Sequence, residues 1–298
     1  MPGFDLGPYA LQLFSGLSRA MVLFLLSAGL SLIFGVMNIL NFAHATLWLL
    51  SGYVTFSIFT FMAESFGASP WLLLPAIAGA VTLMMGVGYA LERLLIRRTY
   101  RRELPEQLLL TFALVLIIGD VIKLVWGTEN RRINLGVQPI EMLDTLVNPY
   151  HFVIITTGVA VAAGLWLFLH RTRLGRIVRA AAYSRDMVSA LGIPIPTIYA
   201  MVFALGVGLA ALAGGVFLPL LPMSLGVDHD IIVQCFAVVV IGGFGSMLGT
   251  FAAALIVGIV YSFSILFWPD GALAMIFLIV VGVLIWRPWG LFGSELRY

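Results

Sequence analysis

The stretches from Ala20 to Leu40 and from Ile276 to Trp286 are apolar all the way round, whichever regular backbone is drawn through them. A helix on the surface of a soluble domain keeps a polar face. A strand of a transmembrane barrel alternates apolar with polar over roughly 10 residues. Neither pattern is present, so these stretches read as helices surrounded by lipid or by other apolar helices. Composition extends the conclusion to the whole chain: 61% of the 298 residues are hydrophobic and 10% are charged, against about 25% charged in soluble domains. With a mean hydropathy of +1.08 and about 20 residues needed per crossing, the chain has apolar material for at most about nine spans. The expected fold is an all-α integral membrane protein, a polytopic helical bundle of eight or nine spans.

The candidate spans are 9–34, 40–62, 70–92, 106–127, 150–170, 197–218, 230–247, 248–267 and 271–286. The seventh is the weak one. Its apolar run from Ile231 to Ile241 is short and Gly242-Gly243-Phe244-Gly245-Ser246 follows, so it reads either as a full span or as a broken, re-entrant piece. Short loops that retain arginine face the cytoplasm. Arg93, Arg97, Arg98, Arg101 and Arg102 crowd one loop, and Arg171, Arg173, Arg176, Arg179 and Arg185 crowd another two spans later. The intervening 128–149 mixes Arg131 and Arg132 with Glu129, Glu141 and Asp144, while 219–230 carries Asp228 and Asp230 and no basic residue. Those loops face outward. Counted with nine spans, the N-terminus is then outside and the C-terminus inside, where Arg287 and Arg297 obey the same rule. Charge at mid-depth is expensive, which favours Arg19 at the outer edge of the first span, with 5–18 as an interfacial segment. Asp5 but no basic residue precedes Arg19, so the n-region of a cleavable signal peptide is missing and the first apolar segment is expected to stay in the mature protein.

Several kinds of chemistry are excluded. A net charge of +2 offers no basic field to nucleic acid. The one lysine, Lys123, stands in Asp120-Val121-Ile122-Lys123 and not in a Gly-x-x-x-x-Gly-Lys-Ser/Thr loop, so the chain does not cradle ATP in that way. His44, His151, His170 and His229 have no metal-ligand spacing. No Gly-x-Ser-x-Gly elbow occurs, and Cys235 alone forms no intrachain disulfide. Nearly all carboxylates fall in loops or at span ends, Asp120 pairing with Lys123 one turn away, so an internal proton relay is disfavoured. No catalytic residue, metal or cofactor is expected on this chain.

What the spans do contain is a weak two-half pattern. Each half has an Arg-rich inner loop and one interrupted segment, at Asn38–Thr46 and at Gly242–Gly249. Paired interruptions point to a transport site, and glycine-rich ones equally permit close helix packing. On helical spacing Asn38, Asn41 and His44 fall on one face, a polar stripe that serves as interhelical glue or as pathway lining. With Gly242, Gly243, Gly245 and Ser246 they are the candidate pathway residues, and the two interruptions are expected to meet.

The most informative segment runs from Gly175 to Ile193. Its alanines favour helix, and Gly192 is a suitable stop with Pro194 and Pro196 beyond. Arg176, Arg179, Tyr183 and Asp186 take one face, opposite Ile177, Ala181 and Val188. It reads as a cytoplasmic helix at about 175–193. The bland reading is a solvated loop helix, and the sharper one is a docking helix for a soluble partner.

That segment, with Met37-Asn38-Ile39-Leu40-Asn41-Phe42-Ala43-His44, Val240-Ile241-Gly242-Gly243-Phe244-Gly245-Ser246-Met247-Leu248-Gly249 and Trp286-Arg287-Pro288-Trp289-Gly290-Leu291-Phe292-Gly293, closely resembles the shorter membrane permease of bacterial branched-chain amino acid ABC importers. The likeness spans nearly the whole chain and implies a single permease domain over 1–298 in the bacterial inner membrane. The resemblance further implies a second homologous permease, two cytosolic ATPases that bind ATP and Mg, and a periplasmic substrate-binding protein. It makes 175–193 a coupling helix, with Arg176, Arg179, Ala181, Tyr183, Ser184, Arg185, Asp186 and Gly192 as the coupling residues. Ser184 stands where relatives often carry an acid, and Ala45-Thr46 follows His44 where many have Gly and a small or acidic residue. The implied cargo is a small branched-chain or hydrophobic amino acid. Urea, short amides and aromatic acids are the alternatives, and a self-sufficient channel, an ion-coupled carrier or a lipid enzyme are remoter ones.

Overall fold

The computed structural model describes residues 6–100, 102–142 and 145–293. Asp5, Arg101, Asp144 and Arg297, used above for topology, lie outside them. A helix that is apolar all round has to be covered all round, and α1 (Gly7–Met37) is the covered one, with Met21–Leu26 almost fully buried. Around it stand α5 (Tyr150–Arg171), α8 (Ile195–Phe217), α9 (Val227–Gly242) and α10 (Met247–Phe267). Small residues set the closest approaches. A Cβ on Gly29 of α1 would lie 2.5 Å from the carbonyl oxygen of Gly206 in α8, and one on Gly258 of α10 would lie 2.6 Å from the Ala20 backbone.

The outer helices are α2 (His44–Phe66), α3 (Leu73–Leu94), α4 (Leu104–Trp126) and α11 (Ala272–Trp286). α3 runs antiparallel to α8, with Gly88 against Val207 and Gly215 against Ile77. α4 and α11 turn large apolar side chains outward, Leu124 at 85% and Ile285 at 82% exposure, as a bilayer-facing surface requires. Among the described residues, eight helical stretches are long and apolar enough to cross a membrane. The seventh candidate is shorter: α9 has 16 residues, about 24 Å of helix against about 30 Å of hydrocarbon. Residues 218–226 lead into it as non-helical backbone with Leu218 and Met223 fully buried, so loop and helix share this passage.

The arginine-bearing segments gather at one end. Arg97 donates to the carbonyl of Pro196 at the start of α8 and, through Nε and Nη2, to both oxygens of the buried Glu92 at 3.2 and 3.0 Å. The Tyr100 hydroxyl also donates to Glu92, and its ring meets Tyr199 edge-on. Burial first, and then the bond to Glu92, push the Tyr100 pKa up, so the hydroxyl stays a donor. A short paired carboxylate thus fastens the α3–α4 turn to α8.

Arg19 is a correction. α1 continues through it without a break, and the segment before it is not a separate interfacial piece. The guanidinium is held inside the bundle, with Nη2 donating to Gln234 Oε1 at 2.8 Å and its plane 3.8 Å from the centroid of the Tyr261 ring. A hydrogen-bond acceptor and an aromatic face replace water, which lets the charge sit deeper than its hydration cost alone allows. At the opposite end from the arginine loops, a hairpin of β1 (Ile140–Met142) and β2 (Thr145–Val147) and a backbone bridge between Arg131 and Met223 order the two connecting loops.

Candidate translocation site and coupling surface

The first interruption is a reversal of the chain, not a polar stripe on a helix. Asn38 closes α1 in the left-handed conformation (φ 57°), its N–H on Phe34 O, and its side chain is exposed. Residues 38–43 leave the helix, so Asn38, Asn41 and His44 share no helical face. The chain turns back into the bundle. Asn41 Oδ1 accepts from the N–H of Ala43 at 3.1 Å, the local turn that Asn makes readily. His44, fully buried, opens α2 with Nε2 3.0 Å from Leu26 O. Leu26 lies eleven residues before the end of α1, roughly 16 Å back along its axis. α2 therefore begins deep inside the protein, where irregular backbone is tolerated because it is enclosed.

A second helix also begins inside. The Thr46 hydroxyl, in the first turn of α2, donates to Asp228 Oδ2 at 2.6 Å. Asp228 belongs to the first turn of α9 and is only 4% exposed. One carboxylate thus occupies the positive ends of two helices, the placement that favours an anion. Phe42 against Phe236 completes the junction. The break that pairs with 38–43 is thus 218–226, ahead of α9, and Asp228 was missed because it was read as an outer-loop residue. The available signal was a glycine at 226 followed by acids at 228 and 230 and then an apolar run, the pattern of a helix start.

Gly242–Gly249 does something else. A Cβ on Gly243 (φ 94°) would lie 2.5 Å from the backbone nitrogen of Gly293, and one on Gly242 would lie 2.5 Å from the Gly249 carbonyl carbon. Leu291 N–H donates to Ile241 O at 2.7 Å and Phe292 N–H to Gly242 O at 3.1 Å, which satisfies carbonyls that the end of α9 leaves open. Gly245 lies against Gly35 of α1, and Ser246 Oγ caps α10 by accepting from Gly249 N–H at 3.1 Å. The two interruptions touch different partners: Asn38–Thr46 lies against α1 and α9, and Gly242–Gly249 against the last turn of α1 and the 289–293 segment. The Trp286–Gly293 motif earns its place as the cap of α9.

The 175–193 segment is two helices and not one. Thr172 Oγ1 accepts from Gly175 N–H at 2.9 Å to start α6 (Arg173–Tyr183). Ser184 is extended (φ −154°), and its hydroxyl accepts from Met187 N–H at 3.3 Å to start α7 (Arg185–Ala190). Competition from that hydroxyl is what breaks the helix. Gly192 (φ 78°) stops α7, as its position suggests. Ala181 and Val188 are buried toward the bundle, whereas Arg176, Arg179, Arg185 and Asp186 are exposed and Tyr183 is 90% exposed. Between the two helices lies an open groove of about 300 Å³ lined by Arg176, Ile177, Ala180, Val188 and Leu191.

A bundle of apolar helices long enough to cross a membrane, with two further helix starts enclosed in its interior, defines a multi-pass membrane protein. Residues 12–285 match the family described as "Branched-chain amino acid transport system / permease component", and the chain belongs to that family. It is 28% identical to the high-affinity branched-chain amino acid transport system permease protein BraD of Pseudomonas aeruginosa, over 96% of each chain. It is 26% identical to LivH of Escherichia coli K12, named in the same terms, over 95% of this chain and 94% of that one. The probable LivH of Methanocaldococcus jannaschii is 26% identical over 92% and 89%.

Proposed function

We propose that this chain is the translocating subunit of an ATP-driven importer for branched-chain and other small hydrophobic amino acids, acting by alternating access in a bacterial inner membrane. Membership of the permease family across residues 12–285, with relatives of the same length named for that cargo, is the observation that carries the reading. ATP and Mg are bound and hydrolysed by two cytosolic ATPases. A second, homologous permease completes the membrane part, and a periplasmic protein delivers the amino acid. The whole chain works as one permease domain whose α6–α7 elbow meets the ATPase and whose buried junction of α2 and α9 lies beside the pathway. Uptake of leucine, isoleucine and valine into vesicles carrying the full assembly, compared with urea, short amides and aromatic acids, tests it. Saturable uptake of the aliphatic amino acids is expected, and uptake of urea in their place overturns the reading.

The elbow makes a prediction of its own. Reversing charge at Arg179 and Arg185 lowers co-purification of the ATPase and uptake, while insertion stays normal. The loss is modest, since exposed ion pairs contribute about 0–1 kcal/mol each. Unchanged co-purification sinks the docking role.

Orientation is tested by thiol labelling. In a Cys235→Ala background, cysteine at Arg98 or Arg173 resists an impermeant reagent added outside, and cysteine at the exposed Glu141 reacts. Outside labelling at position 98 would reverse the topology.

A further inference from the structure

Arg19, held inside the bundle and not at the outer edge of α1, has no part in the proposed transport cycle so far. It lines a cavity of about 260 Å³ between α1, α5, α8 and α10, together with Ser15, Ser18, His151, Tyr261 and Ser262. The cavity lies toward the end of the bundle away from the arginine loops, where α5 begins and α8 ends. Its size suits a small solute, being just under the roughly 300 Å³ at which drug-sized ligand sites begin. The wall carries one charge and several neutral polar groups. Ser18 Oγ lies 2.8 Å from His151 Nδ1, and the Ser262 hydroxyl has two acceptors in reach, Gln12 O at 2.8 Å and Gln12 Oε1 at 2.6 Å.

The Arg19 charge is incompletely answered. Nη2 has Gln234 and the ring plane has Tyr261, but both partners are neutral. Nε is buried and makes no hydrogen bond, and among the described residues no carboxylate oxygen lies within 4 Å of the guanidinium. Asp230, one turn before Gln234 on α9, attracts it only from beyond ion-pair distance, so the open donors of the fork fit a carboxylate. Apolar side chains, Phe217, Leu220 and Ile265, close the rest of the cavity. A small molecule with a carboxylate at one end and an aliphatic group at the other answers both walls.

We infer that this cavity is a solute station in the permease itself, at which Arg19 receives the carboxylate of the amino acid on its way in. The inference rests on the proposed function and narrows it: the permease discriminates by the carboxylate, not only by what the binding protein hands over. Detergent-purified importer lacking the binding protein is the material for the test, with thermal stability read against ligand concentration. Leucine is expected to stabilise it, and leucinol, which lacks the carboxylate, is not. Arg19→Gln lowers the apparent affinity for leucine by roughly tenfold to a hundredfold, the loss of a hydrogen-bonded charge contact. Ser15→Phe, which fills the cavity while keeping the Arg19 charge, does the same and carries the test if Arg19→Gln fails to assemble. Equal stabilisation by leucine and leucinol, or leucine affinity unchanged in an assembled variant, overturns the inference and leaves the transport reading intact. A complete wild-type assembly that takes up no aliphatic amino acid overturns the transport reading itself.

Discussion

Gly243→Leu is expected to remove the folded permease from the membrane extract and to abolish uptake with it. Three costs fall together at this residue. Its backbone (φ 94°, ψ 129°) is one that L side chains rarely adopt, at about 1–3 kcal/mol. A Cβ there meets the backbone of Gly293 and the Trp289 carbonyl, which flexible side chains cannot relieve. Pushing the 289–293 segment away also breaks the two hydrogen bonds by which Leu291 and Phe292 cap α9, at about 0.5–1.5 kcal/mol each. The sum is several kcal/mol against a total stability of about 5–15 kcal/mol. Val281→Leu, on an exposed part of α11, is the control and is expected to be silent. Val280, next to it, is half-buried against the core and would serve less well. Monodisperse yield measured beside uptake decides the matter: normal yield with lost uptake would return Gly243 to the pathway.

Apolar length made the membrane bundle legible, because a run with no polar face has few places to go. It marked eight of the spans and flagged the seventh candidate, α9, as short. Arginine placement identified the loops that the structure gathers at one end, where Arg97 joins Glu92 to the Pro196 carbonyl and Tyr100 meets Tyr199. What failed was reading position from spacing across a break. Asn38, Asn41 and His44 share a face only if the backbone is helical, and the left-handed Asn38 ends the helix before the other two are reached. Ser184 deceived in the same way: a hydroxyl in an alanine-rich run is tolerated in a helix, yet here it caps a new one. Arg19 was misplaced because a hydropathy argument prices charge against lipid, whereas this one faces Gln234 and Tyr261. Gln234 lies more than two hundred residues away, and no local pattern announces such a partner.

Asp228 offers the sharpest separation of charge from shape. Asp228→Ala leaves the Thr46 hydroxyl without its acceptor and two helix starts without their shared anion, and is expected to lower stability by about 1.5–3 kcal/mol, the range for a hydrogen bond to a charged group. Asp228→Asn keeps an acceptor for Thr46 but loses the charge, so it should cost about 1 kcal/mol, the interaction of a charge with helix ends. Thr46→Val removes the donor alone. If the 2.6 Å bond ties α2 to α9, the Thr46→Val, Asp228→Ala double variant is less damaged than the two single losses added together, with a coupling of about 0.5–3 kcal/mol. Denaturation in detergent of the four proteins measures that coupling, and a value of zero would mean that the two side chains are neighbours without being partners. Uptake adds the functional half. Both helices begin in the interior and must keep their starts together or move them together during transport, so Asp228→Ala should reduce turnover more than Asp228→Asn at equal amounts of assembled protein. Equal turnover of the two would detach this junction from the transport cycle and leave it a structural joint between helices.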